Sequence, residues 1–96
     1  GNVGPWTDVY AIGASIRACI EGKAPPSAVE RHAEDKLEPA SQLFSQRYPQ
    51  HILETVDWAM RVNAEQRPQS AQEMRQALLG RIPVPQTIIE GKRSTG

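Results

Sequence analysis

The chain has 96 residues, 11 Lys plus Arg against 11 Asp plus Glu, and 39% hydrophobic residues. That suits one small domain and leaves no basic excess to point to nucleic acid. Its single cysteine excludes an intrachain disulfide and favours a reducing, cytoplasmic setting.

The lead-in, Gly1 to Trp6, carries glycine and proline, and Thr7 stands where an N-cap belongs, with Asp8 in the first turn after it. From Asp8 to Glu21 apolar or small residues fill nearly every position, which predicts a helix buried at the centre of the domain with Cys19 as a small buried hydrophobe. Its longest mainly apolar run, Val9 to Ile20, is broken by Ser15 and Arg17 and is too short to span a bilayer. Nothing resembles a signal peptide.

Gly22 is placed to end this helix in a left-handed cap, and Pro25-Pro26 cannot continue it. Ser27 with Glu30 forms a capping box that opens a short, polar second helix ending near Lys36. On it, Glu30, Glu34 and Asp35 flank Arg31 and Lys36, the pattern of a solvated, salt-bridged face rather than a catalytic carboxylate pair. Residues 37–49 read as a loop with a helical turn near Ser41 to Phe44, tacked to the core by Leu43, Phe44 and Tyr48.

Ile52, Leu53, Val56, Ala59 and Met60 form an apolar stripe at helical spacing over residues 50–62, with His51, Glu54, Asp57 and Arg61 on the outer face. Ser70 and Glu73 make a second capping box before Ala71, Met74, Ala77 and Leu78, and Gly80 stops that last helix. The prediction is all-α: four principal helices near 7–21, 27–36, 50–62 and 70–79 around a buried central one, then an 80–96 linker with prolines at 83 and 85. Trp6 and Trp58 are expected to pack. His32 and His51 stand too far from each other and from Cys19 in sequence to suggest zinc. Thr87, Ser94 and Thr95 are hydroxyls open to phosphorylation in the linker.

Two runs carry more than structure. Asp8-Val9-Tyr10-Ala11-Ile12-Gly13 resembles the start of the large central helix in the C-terminal lobe of protein kinases. Arg67-Pro68, set before the capped helix Ser70 to Leu78, resembles the loop and last helix of that lobe. Glu21-Gly22-Lys23-Ala24-Pro25-Pro26 is similar to the turn after the central helix in bacterial serine/threonine kinases, so the resemblance covers residues 4 to about 79.

The resemblance implies that residues 1–79 are the C-terminal part of a kinase catalytic domain, with three scaffold residues. Asp8 would accept hydrogen bonds from catalytic-loop amides, Gly13 would allow close packing, and Arg67 would pair with the glutamate that closes the activation segment. No catalytic, cofactor or metal residue is expected here. The glycine-rich loop, strand lysine, His-Arg-Asp loop and Asp-Phe-Gly site that hold ATP and Mg²⁺ and phosphorylate protein Ser/Thr would stand upstream of Gly1, and any membrane anchor of the parent would lie outside these residues. The chain alone is therefore expected to be inactive and to self-associate through apolar surface on its first helix. Two other readings fit the same residues: a non-catalytic helical interaction domain whose proline-rich tail meets a partner, and the lobe of a pseudokinase.

Overall fold

A computed structural model describes the backbone of residues 5–85 and the side chains of residues 8–85. The packing expected of Trp6 and the linker hydroxyls at Thr87, Ser94 and Thr95 fall outside the described residues. Within them the fold is all-α, with helices α1 (Pro5–Glu21), α2 (Ala28–Ala33), α3 (Ala40–Leu43), α4 (Gln50–Ala59) and α5 (Ala71–Leu78), and a 3-10 turn at Ala64–Gln66.

Helix α1 begins at Pro5, so Thr7 lies inside it rather than capping it; proline is tolerated there because a first-turn N–H has no intrahelical acceptor. It ends where glycine permits: Gly22 has φ +82° and donates to Ala18 O at 2.7 Å. Ser27 and Glu30 close the expected box around the start of α2, at 3.1 and 2.8 Å. That helix stops at Ala33, short of Lys36, because the Asp35 carboxylate turns back to accept from Arg31 and from Leu37 N–H.

Helix α4 also ends early, at Ala59 rather than Val62, since the carbonyls of Met60, Arg61 and Val62 are turned toward arginines from elsewhere in the chain. At the start of α5 the Ser70 hydroxyl accepts from Glu73 N–H at 3.0 Å, while the Glu73 carboxylate reaches Gln69 N–H rather than that of Ser70. Gly80, at φ +75°, completes a Schellman end: it donates to Ala77 O, and Arg81 donates to Gln76 O.

The core forms where α1, α4 and α5 meet. Tyr10, Ala40, Leu53, Val56 and Met60 make one cluster, Val9, Ala59 and Met74 another, and Ile16 touches both. Trp58 is buried, as expected of a packing residue. The most enclosed helix is α4, whose Leu53, Thr55, Val56, Trp58 and Ala59 are all buried, and not α1. One face of α1 (Val9, Tyr10, Gly13 and Arg17) is buried, whereas Asp8, Ala11, Ile12, Ser15 and Cys19 form an exposed stripe along it. Cys19 is therefore not a core residue. In the loop, Phe44 packs against the core but Leu43 and Tyr48 are exposed, because the short α3 turns only Ala40 inward.

Candidate functional site

The inner face of α1 meets α4 at a glycine. A Cβ built on Gly13 would lie 2.9 Å from Ala59 Cβ and 3.1 Å from Met60 Cγ, so the two helices approach as closely as they do only because residue 13 has no side chain. One turn before it, Tyr10 is buried and donates its hydroxyl to Pro26 O at 2.9 Å, which ties the segment after α1 back onto the helix.

Arg67 lies against the same tyrosine. Its guanidinium carbon is 4.7 Å from the Tyr10 ring centroid, a cation–π distance, and the residue is only 7% exposed. Its Nε donates to Arg61 O at 2.7 Å and Nη2 to Val62 O at 3.2 Å. These carbonyls follow the end of α4, where the helix leaves acceptors unpaired and the macrodipole favours a cation. Burial pulls the Arg67 pKa below the usual arginine value, countered in part by Tyr10 and reinforced by the nearby charge of Arg31.

Arg31 serves the same helix end from the other side. It donates to Met60 O and pairs with Asp35, Nε to Oδ1 at 2.9 Å. Burial works against its charge, but hydrogen bonds to Asp35 and Tyr10 outweigh it, and the pKa is raised. The same bond from Arg31 holds the Asp35 carboxyl below its ordinary range, against a smaller effect of desolvation. Two arginines from distant parts of the sequence thus hold the backbone at and just after the end of one helix.

A second charged cluster was not visible to sequence reasoning. Arg17, 2% exposed, donates to both Glu21 carboxylate oxygens at 3.1 and 3.3 Å and lies 3.9 Å from Asp57 Oδ1. Asp57 in turn accepts from Ala40 N–H at 2.7 Å and Ser41 N–H at 3.0 Å, so a residue read as part of an outer face is the N-terminal cap of α3, supplied from 16 or 17 positions away. The Arg17–Glu21 half was legible as an i, i+4 pair; the Asp57 half is a tertiary contact with no local signature.

Of the three residues expected to act as scaffold, Gly13 and Arg67 lie on the packed side of α1 and Asp8 on its exposed stripe, with no hydrogen-bond partner for Asp8 among the described residues. The arrangement orients backbone. No group of three His, Cys, Asp or Glu side chains that could hold a metal occurs among the described residues. No described helix is long and apolar enough to cross a membrane.

The chain is related to part of a bacterial serine/threonine kinase. It is 41% identical, with a TM-score of 0.74 over 79% of its length, to the solved structure described as the apo form of PpkA-294. It spans 27% of that chain. No family model matches the sequence, and no curated protein does.

Proposed function

We propose that the chain is the C-terminal helical part of the large lobe of a serine/threonine protein kinase, where it anchors the catalytic loop and the activation segment and carries no reacting group itself. The likeness to PpkA-294 carries this reading, since 41% identity together with a shared helical arrangement supports common descent and not only a common fold. In the parent, ATP and Mg²⁺ belong to upstream motifs, and protein substrates receive phosphate there.

Each scaffold residue then has a physical task. Asp8, exposed at the start of α1, is available to accept backbone amides of the catalytic loop. Gly13 keeps α1 seated on α4. Arg67 is held from behind by two carbonyls and the Tyr10 ring, which fixes its guanidinium for a glutamate of the activation segment.

In the intact parent, Arg67→Ala is expected to lower both kinase activity and melting temperature, because the glutamate would lose its charge partner in a largely buried place. Normal phosphorylation by a normally melting variant would overturn that role. The chain by itself is expected to self-associate through the exposed stripe around Ile12, which is 40% exposed. Light scattering that reports a monomer over a wide concentration range would exclude this.

A further inference from the structure

Between the segment joining α2 to α3 and the outer side of α4 lies a groove of about 400 Å³. Its lining is mostly charged or polar, with Arg17, Arg31, Asp57 and Arg61 among it, and Leu37, Pro39 and Met60 supply an apolar strip. Val84, from the far end of the described chain, also lines it.

The path of that end is not random. From Arg81 to Pro85 exposure alternates: residues 81, 83 and 85 are exposed, whereas Ile82 and Val84 are half-buried. Alternation with period two is the mark of an extended segment lying with one face against a surface. Pro83 and Pro85 have fixed φ and cannot stand in a helix interior, so the extended shape costs little ordering entropy. Arg61 fastens it: one guanidinium nitrogen donates to Pro85 O and the other to Gln66 O at 3.1 Å.

We propose that this groove is a docking site for an extended Pro-Val-Pro segment, and that residues 83–85 of this chain lie along it in cis as a displaceable strap. Arg61 reads the backbone carbonyl of the residue after the valine, and the groove meets the side chain at 84. Recognition of this kind uses a preformed extended peptide, its alternate side chains and a few main-chain bonds.

The test is methyl NMR on the full 96-residue chain, with a peptide of sequence Arg-Ile-Pro-Val-Pro as the probe. In the unaltered chain, nuclear Overhauser contacts are expected from the Val84 methyls to Leu37 or Met60. In a Pro83→Gly, Val84→Gly variant the peptide should produce saturable shifts at those residues. It should bind about tenfold more tightly than to the unaltered chain, where a tethered strap competes at millimolar effective concentration. Adding Arg61→Gln to that variant should weaken the peptide again. Equal affinity for the strapped and released chains overturns the proposal. So does the absence of contacts from Val84 to the groove in the unaltered chain, a result that holds even if the variants fail to fold.

Discussion

Replacing Gly13 with alanine would set a methyl group 2.9 Å from Ala59 Cβ and 3.1 Å from Met60 Cγ. The Met60 side chain can give way, but Ala59 has only its backbone to move, so Gly13→Ala is expected to cost about 1–3 kcal/mol, read as a lower denaturant midpoint at unchanged slope. Gly80 differs in kind: a Cβ there would come no nearer than 3.5 Å to the His51 ring, an ordinary contact, and the constraint is the positive φ. At this scale the sequence told more about backbone than about side chains. Both glycine caps and the Ser27 box were legible because their partners lie within a few residues. Arg67 was singled out through resemblance, while neighbours such as the Arg61 and Val62 carbonyls and the Tyr10 ring arrive only with the fold.

The elements are held by different means. Helices α1, α4 and α5 share an apolar core, whereas α2 has no buried residue and α3 buries only Ala40. Capping and charge do for these short helices what burial does for the long ones. Asp57→Ala removes both acceptors from the start of α3 and one neighbour of buried Arg17, and is expected to cost about 1–2 kcal/mol. Amide exchange at Ala40 and Ser41 should rise more than at Leu53 or Val56; equal changes at all four would mean that α3 is not a separate unit. Helix existence was readable from periodicity. The ends of α2 and α4 were not, because the Asp35 carboxylate, Arg31 and Arg67 set them through contacts that no short window contains.

The molecule as a whole is a helical scaffold with its polar interactions spent on carbonyls and helix starts. Titration calorimetry of the chain with ATP and Mg²⁺ should give no saturable, magnesium-dependent heat; micromolar binding would show that the part of a kinase has been misread, or the kinase itself. The all-α architecture followed from composition and spacing, but the depth of each helix did not. A helix that is apolar on almost every side was expected at the centre, yet α1 keeps one side open because α4 and α5 pack against the other. The chain's single thiol, Cys19, stands on that open side, separated from Ser15 by one helical turn. It is a footprinting reagent built into the protein: its alkylation rate reports how much of the stripe is covered at any moment. A second copy or any other molecule that settles on the stripe will slow that reaction, and the protection it confers can be titrated without touching another residue.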